Sequence, residues 1–232
     1  MLINLSVIIP CYNEEKTILF IVEKIKKIKN LSIEIIIVDD CSTDSTSDAL
    51  KNISQVYPDI KIIRHEHNSG KGSAIQSGIK LVTGNIVLIQ DADLEYDPND
   101  YHNLLQPFIE ADADVVYGTR FKGGKYVRLH FFWHYLANKI LTTITNIVTN
   151  LNMSDMETGY KVFKSDVIKS IKLNENSFGV EPEITVKLAK KKYIFYEVPI
   201  SYHGRSYEQG KKITLKDAFI AIYCIFRYRW FS

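Results

Sequence analysis

The sequence is short of the residues that mark fibrous, low-complexity or disulfide-rich proteins. Its 232 residues include 11 glycines and 6 prolines, too few for a collagen-like chain or a Pro-rich linker. Its three cysteines, Cys11, Cys41 and Cys224, are odd in number and far apart, so they offer neither a disulfide framework nor the spacing of zinc ligands. A reducing compartment is the simplest location for such a protein.

A strong net charge and long apolar runs are absent as well. The formal net charge of +2 at pH 7 argues against a general nucleic-acid or polyanion binder. No stretch reaches the roughly 20 apolar residues that a membrane-spanning helix needs. The first residues, MLINLSVIIPCYNE, lack the basic region and cleavage site of a signal peptide. Because repeats and linkers are also missing, the sequence predicts a single domain over residues 1–232.

Short apolar runs alternate with amphipathic stretches along the first half of the chain. The predicted strands are Leu5–Pro10, ended by Pro10, then Ile33–Val38, Ile60–Ile63, Ile86–Ile89, Val115–Val116 and a late Tyr193–Pro199. The predicted helices are Glu14–Lys29 with Asn13 as its cap, one ending at Val56, one from Asn68 to Leu81, and one from Pro98 to Glu110. This alternation predicts an α/β fold with an open, mostly parallel sheet and helices on both faces.

The fourth predicted strand ends in three acids, Asp91, Asp93 and Glu95. Alternation in an extended segment would place their carboxylates on one side of the chain. Carboxylates so near to one another repel and need a positive charge between them. A hard cation such as Mg²⁺ or Mn²⁺ would supply that charge. The alternative is an acidic loop before a helix, with Asp97 and Pro98 as the helix start.

A second acidic pair, Asp39-Asp40, also follows a predicted strand. In open α/β sheets, ligands bind beyond the carboxyl ends of the strands. Acids at two strand ends therefore predict a ligand site at that edge of the sheet, which a purely structural role would not require.

Two late segments are amphipathic. Phe131–Leu151 has an aromatic start and an apolar stripe made of Leu136, Ile140, Ile144, Ile147 and Leu151. The stripe is typical of a helix packed on a core, whereas the aromatic start favours a helix at a membrane interface. Ala218–Phe231 is too short to span a bilayer. It is either a docked C-terminal helix or a second membrane-facing surface.

Several motifs, taken in order, resemble one protein family. They are Pro10-Cys-Tyr12-Asn13-Glu14, Val38-Asp39-Asp40-Cys-Ser-Thr-Asp44, Asn68-Ser-Gly70-Lys71-Gly72, Asp91-Ala92-Asp93, Gly118-Thr-Arg120-Phe121, Asp155-Met-Glu157-Thr158-Gly159-Tyr160-Lys161 and Ser201-Tyr-His203-Gly-Arg205. Together they resemble family 2 glycosyltransferases of the GT-A fold, and most closely the dolichyl-phosphate mannose synthase group of polyprenol-phosphate sugar transferases. The resemblance runs from about Leu5 to Lys212.

The resemblance implies a role for each motif. The half of the chain from about residue 5 to 120 would bind the nucleotide sugar, and the half from about 121 to 212 would frame the acceptor. Residues 213–232 would form a C-terminal helix. The implied nucleotide-sugar ligands are Pro10, Tyr12, Glu14, Asp39, Asp40, Lys71, Asp91, Ala92, Arg205 and Lys211. The implied metal ligands are Asp91, Asp93 and Glu95. The implied catalytic residues are Asp93, Arg120 and Arg128. The implied acceptor-side residues are Asp155, Glu157, Thr158 and Lys161.

The implied reaction is an inverting transfer of a sugar from GDP-mannose or a UDP-sugar to a polyprenyl or dolichyl phosphate. It would use Mg²⁺ or Mn²⁺ at the cytoplasmic face of a membrane, with peripheral attachment and room for a separate anchoring subunit. One alternative is a saccharide or protein hydroxyl acceptor, for which Glu181 or Glu183 could serve as the base. Both could equally begin a helix, with Pro182 in its first turn. Another is a nucleotide-sugar-binding protein without turnover.

Overall fold

One sheet of seven strands forms the centre of the protein. The structure is a computed structural model that describes residues 2–122, 132–204 and 215–231. The strands are β1 (Asn4–Cys11), β2 (Ser32–Asp39), β3 (Lys61–Arg64), β4 (Ile86–Ile89), β5 (Val115–Thr119), β6 (Lys161–Lys164) and β7 (Phe195–Pro199). The helices are α1 (Ile18–Lys26), α2 (Thr46–Val56), α3 (Lys71–Ile79), α4 (Tyr101–Glu110), α5 (Phe132–Thr149), α6 (Ser165–Lys169), α7 (Val180–Lys190) and α8 (Leu215–Trp230), with a 3₁₀ turn at Pro98–Asp100.

The strand order is β3-β2-β1-β4-β6-β5-β7. The first four strands pair in parallel. Their central members are nearly continuous apolar runs because helices cover both faces. On one face α1, α2 and α4 pack in a core with Leu5, Val7 and Ile9 of β1. On the other, α3, α5, α7 and α8 pack around Ile8 of β1 and around Ile36 and Val38 of β2. The predicted α/β fold is therefore confirmed.

The sequence did not predict β6. This strand pairs antiparallel with both β4 and β5, while β7 pairs parallel with β5. Its four residues, KVFK, begin and end with lysine, which hides the apolar pattern. Lys161 is nevertheless buried, and the strand lies inside the sheet, between β4 and β5.

Several predicted boundaries were wrong; α1, for example, covers Ile18–Lys26 rather than Glu14–Lys29. β1 continues through Pro10 to Cys11, because β1 pairs with β4 only as far as Ile8; beyond it, the missing N–H of Pro10 removes no ladder bond. Asn13 does not cap α1; it has a left-handed φ of 56°, and its amide oxygen accepts from Thr43 N. The third helix begins at Lys71 rather than Asn68.

Candidate functional site

The site lies at the carboxyl ends of β1, β2 and β4, which meet at one edge of the sheet. Cys11 of β1 pairs with Asp39 at the end of β2, and Gln90 N donates to Ile8 O where the chain leaves β4. Asp91 follows directly. The acids predicted at two separate strand ends are thus brought to the same edge.

The three acids after β4 do not converge as predicted. Asp93 Oδ1 accepts from Glu95 N, which closes a tight turn, and Leu94 inside that turn has a left-handed φ of 63°. The alternation expected of an extended segment is therefore lost. Glu95 points to Tyr202, whose hydroxyl donates to Glu95 Oε2 at 2.7 Å. In the described part of the chain, no group of three or more His, Cys, Asp or Glu side chains could hold a metal ion.

The loop after these acids does begin a helix, as the alternative interpretation predicted. The Asp97 side chain accepts from Asn99 N, and Pro98 occupies the first turn of the 3₁₀ segment that leads into α4. The two interpretations are therefore compatible, because helix capping uses Asp97 and leaves Asp91 and Asp93 at the strand end.

Lys71 is a partly buried cation that contacts two acids of the site. Its ammonium lies 2.8 Å from Asp91 Oδ1 and 2.9 Å from Glu181 Oε1. Burial would lower the pKa of Lys71, but the charges of Asp91 and Glu181 outweigh it and raise that pKa well above its usual value. Lys71 therefore stays protonated and links the end of β4 to the first turn of α7.

The glycines beside Lys71 serve the chain's own packing. Gly70 has a φ of 94°, and a Cβ on it would lie 2.4 Å from Asn176 O; one on Gly72 would meet Glu175 O. Only glycine allows so close an approach of backbone to backbone. These glycines therefore let the start of α3 lie close against the 175–176 backbone of the chain itself.

Glu181 and Glu183 have different surroundings. Glu181 Oε1 binds Lys71, and its Oε2 is buried with no hydrogen-bond partner in the described residues. Glu183 is fully buried and accepts from Asn174 N, Glu175 N and Lys187 Nζ. Glu181 belongs to the site, whereas Glu183 holds the loop before α7. Both lie in the first turn of α7 with Pro182, as their structural interpretation predicted.

The carboxylate of Asp40 is hydrogen-bonded by other groups of the protein. Its oxygens accept from Ser69 N and Gly70 N, and Oδ1 lies 2.7 Å from His65 Nδ1. Asp39 is equally buried, and its Oδ1 accepts from Ser42 N. Asp39 Oδ2 lies 3.5 Å from Arg64 Nε. Of the two acids, Asp39 keeps more capacity to accept from a ligand.

The other predicted nucleotide contacts surround this edge. Pro10, Tyr12 and Glu14 are half-buried, and Glu14 Oε2 accepts from the Thr17 hydroxyl. Ala92 is buried in the core, so only its backbone can reach a ligand. Arg128, Arg205 and Lys211 lie outside the described residues.

Arg120 forms a bidentate ion pair with Asp155. Its Nε and one terminal nitrogen each donate to Asp155 at 2.7 Å, and its backbone N donates to the same carboxylate. Burial would raise the pKa of Asp155, but the Arg120 charge outweighs it and lowers that pKa. The Arg120 guanidinium carbon lies 5.2 Å from the centre of the Tyr202 ring. Arg120, one of the implied catalytic residues, therefore already binds a carboxylate with two of its guanidinium nitrogens.

The remaining predicted acceptor-side residues are largely buried. Lys161 Nζ donates to Met156 O at 2.9 Å and to Thr158 O, so it secures its own loop. Burial lowers the pKa of Lys161 to about 8, and burial with the charge of Glu181 raises the pKa of Glu157 to about 7. Glu157 Oε1 and Thr158 Oγ1 are buried without hydrogen-bond partners among the described residues, which leaves them able to accept from a ligand.

Sequence reasoning missed a layer of aromatic and amide side chains beneath the site. Gln90 Oε1 accepts from the hydroxyls of Tyr101 and Tyr160, and Tyr96 OH accepts from Gly159 N. A Cβ on Gly159 would lie 2.2 Å from Asp91 Oδ2. These contacts pack the 155–161 motif against the end of β4. Their partners are far apart in sequence, and no local pattern signals them.

Asp91 and Asp93 suit a divalent cation that is bound jointly by the protein and the phosphates of a substrate. Both are half-buried rather than sealed, and the adjacent Lys71 already balances part of their charge. Mg²⁺ is commonly held by one or two carboxylates together with substrate phosphates. The residues present suit that arrangement and do not make an all-protein cage, since Glu95 is turned toward Tyr202.

Comparisons with known proteins agree with this geometry. Residues 6–172 match the family described as Glycosyl transferase family 2. A dolichol-phosphate mannosyltransferase of Pyrococcus furiosus is 29% identical over 217 residues, covering 90% of this chain and 60% of that protein. A dolichyl-phosphate beta-glucosyltransferase of Trichomonas vaginalis is also 29% identical over 217 residues, covering 87% of this chain and 66% of that protein. The chain therefore spans about two thirds or less of these two relatives.

A solved structure shares the fold. Glucosyl-3-phosphoglycerate synthase of Mycobacterium tuberculosis, crystallised with Mn²⁺, uridine diphosphate and phosphoglyceric acid, superposes with a TM-score of 0.73. The superposition covers 99% of this chain and 80% of that one, at 17% identity. At that identity the likeness establishes the GT-A architecture alone.

Proposed function

Since this chain belongs to glycosyltransferase family 2, we propose that it transfers a sugar from a nucleotide-diphosphate sugar to a polyprenyl phosphate at a membrane surface. The names of the two relatives support a lipid-phosphate acceptor. The donor is GDP-mannose or a UDP-sugar, and the membrane face is the cytoplasmic one, with or without a separate anchoring subunit. A single observation supports the membrane location most directly, and it is the orientation of α5.

α5 exposes much of its apolar surface, although Ile144 and Val148 pack partly against the core. Its buried residues are Leu141, Thr142 and Thr145, two of which are polar. Trp133 and Ile147, by contrast, are 74% and 77% exposed. An exposed apolar surface with polar groups turned inward is the reverse of a helix facing water. It suits an apolar or interfacial surrounding.

α8 extends the same apolar surface. It packs against α5, and a groove of about 460 Å³ between the two helices is lined by Ile144, Ile147, Val148, Phe226, Arg229 and Trp230. Phe219 and Phe231 are more than 70% exposed. Arg227 and Arg229 in the last turn could meet anionic headgroups. No helix within 2–122, 132–204 and 215–231 is both long and apolar enough to cross a bilayer.

The residues of the site suit a direct displacement. Lys71, protonated beside Asp91, would attract the diphosphate of the donor. The acceptor phosphate is already ionised near neutral pH, so its oxygen can attack the anomeric carbon without a base. The bond from that carbon to the diphosphate breaks, and the diphosphate leaves with the electron pair. A bound Mg²⁺ or Mn²⁺ would stabilise the charge of the leaving group. Positioning then carries most of the catalysis.

The proposed displacement predicts the stereochemistry of the product. With an α-linked nucleotide sugar and a polyprenyl phosphate in liposomes, we expect a β-linked sugar phosphate, because one attack from the opposite face inverts the anomeric carbon. NMR of the anomeric proton of the purified product reads this directly. An α-linked product would contradict a single displacement, and transfer only to a soluble saccharide or protein would contradict the acceptor.

A hydroxyl acceptor is the second candidate, and the position of Glu181 favours it. Its unpartnered Oε2 lies on a carboxylate that already reaches Lys71 beside Asp91. Such a carboxylate could take the proton that a saccharide or protein hydroxyl, unlike a phosphate, must lose.

Glu181→Gln separates the two acceptors, with Glu183→Gln as its control. With a phosphate acceptor we expect Glu181→Gln to retain substantial activity, because Gln still offers an oxygen to Lys71. With a hydroxyl acceptor the rate should fall about 10²–10⁴-fold. Glu183→Gln should keep its rate per folded molecule but lose about 1–3 kcal/mol of stability, since a buried acceptor becomes a donor. Initial rates and melting curves measure both effects.

A further inference from the structure

The inward side of α5 carries a polar stripe that binds the loop before β6. Asn138, Thr142 and Asn146 lie four residues apart and so occupy one face of the helix. Asn146 exchanges two hydrogen bonds with the backbone of Met153, at 2.8 and 3.0 Å. The Thr142 hydroxyl accepts from Met156 N at 3.1 Å. Both ends of the 153–156 loop are therefore attached to α5.

Asn138 reaches the carboxylate that this loop carries. Its Nδ2 donates to Asp155 Oδ1 at 3.1 Å, and the same oxygen accepts from the Arg120 guanidinium. Asp155 is fully buried, so the bond from Asn138 is not in competition with bulk water. It fixes the rotation of the carboxylate plane, on which a bidentate contact with arginine depends.

The contacts continue from Arg120 to the acidic loop. The guanidinium lies over the Tyr202 ring, 5.2 Å from its centre, and the Tyr202 hydroxyl donates to Glu95 Oε2. Glu95 N in turn donates to Asp93 Oδ1. A continuous series of contacts thus joins α5, through Asp155 and Arg120, to the end of β4.

We propose that Asn138 is a positioning residue for sugar transfer, which through Asp155 fixes Arg120 and through Arg120 the Tyr202–Glu95 contact beside Asp93. The helix with the outward apolar surface therefore also sets the geometry of the site. This inference rests on the proposed function. Misplacement of a reacting or positioning group by about 1 Å can cost on the order of 10²-fold in rate, so the contact is of consequence although Asn138 touches no substrate.

The test is Asn138→Ala, with Asn152→Ala as its matched control. Asn152 lies just beyond α5 and is exposed. We expect Asn138→Ala to lower kcat for the lipid acceptor about 10–100-fold, with little change in KM for the nucleotide sugar and a melting temperature close to that of the wild type. Asn152→Ala should leave kcat and KM unchanged. Asn138→Gln, which keeps an amide donor, should restore part of the rate.

A spectroscopic signal reports the position of Arg120 without any substrate. The Nε–H proton of an arginine held in a buried ion pair gives a resolved, exchange-protected NMR signal, which Arg120→Lys would identify by its loss. We expect this signal to broaden or shift in Asn138→Ala and to persist in Asn152→Ala. An unchanged signal together with an unchanged kcat would overturn the inference.

Other outcomes are also decisive. If both Asn138→Ala and Asn138→Gln lose activity only because they unfold, Asn138 is structural and the inference fails. If the wild type transfers no sugar to any acceptor, the proposed function fails. The Arg120 signal still tests whether Asn138 fixes the ion pair, so the two failures are distinguishable.

Discussion

Asp93→Asn is expected to abolish sugar transfer, a loss of at least about 10²–10³-fold, while leaving the fold intact. Asn keeps the Oδ1 atom that accepts from Glu95 N, and so the turn after β4 can still close. What disappears is the negative charge available to a divalent cation bound with the donor diphosphate. Initial rates at increasing Mn²⁺, measured beside a melting curve, test both halves of this expectation.

Asp97→Asn is the matched control for that variant. Asp97 also holds a local turn, accepting from Asn99 N, but its charge pairs with Lys24 at the surface. The control should retain most of the activity and stability, because an exposed ion pair contributes little. Undiminished turnover of the wild type in excess chelator would contradict the metal assignment, whatever the variants do.

Ile140→Asp should mainly weaken membrane binding and Leu141→Asp should mainly lower stability, although the two residues are neighbours on α5. Ile140 is 48% exposed and Leu141 only 7%. We expect Ile140→Asp to change the unfolding free energy by about 1 kcal/mol or less but to release the protein from liposomes and slow transfer to a lipid acceptor. Leu141→Asp places a charge in the core and should cost at least about 2–5 kcal/mol. Liposome flotation and melting curves distinguish the two.

Thr143→Asp completes this comparison, because it adds the same charge at an exposed polar position of α5. It should bind liposomes more strongly than Ile140→Asp, since it removes no apolar surface from the proposed interface. A large drop in the melting temperature of Ile140→Asp would contradict the membrane assignment and return α5 to the core. Liposome binding that is equal in all three variants would place the membrane contact elsewhere.

The sequence predicted the fold well where apolar runs are continuous. β2 and β4 were located within a residue or two, because a strand buried on both faces needs no polar alternation. It failed at β6, whose terminal lysines hide two apolar residues. At α5 the sequence left two interpretations open, a helix packed on the core and a helix at a membrane interface. Periodicity identifies the two faces of a helix without stating which one meets the protein.

The sequence indicated which residues lie near the site but not which side chains they contact. Lys71 contacts Asp91, and the topology brings the acids that follow β2 and β4 to the same edge of the sheet. The sequence could not reveal that Asp155 occupies Arg120 or that Gly70 binds Asp40. It also could not reveal the left-handed Leu94 that turns Glu95 away. Each depends on a tertiary partner or a single backbone angle.

The position of β6 has a consequence for the order in which the chain can assemble. β4, four fully buried apolar residues, has β1 on one side, and its other neighbour, β6, is synthesised after α4, β5 and α5. Until then an apolar strand edge remains unpaired, and such an edge can pair with another chain. The contacts that close the sheet are distant in sequence, which slows folding. We therefore expect the protein to be most prone to aggregation during synthesis, after β4 has formed and before β6 is available to pair with it.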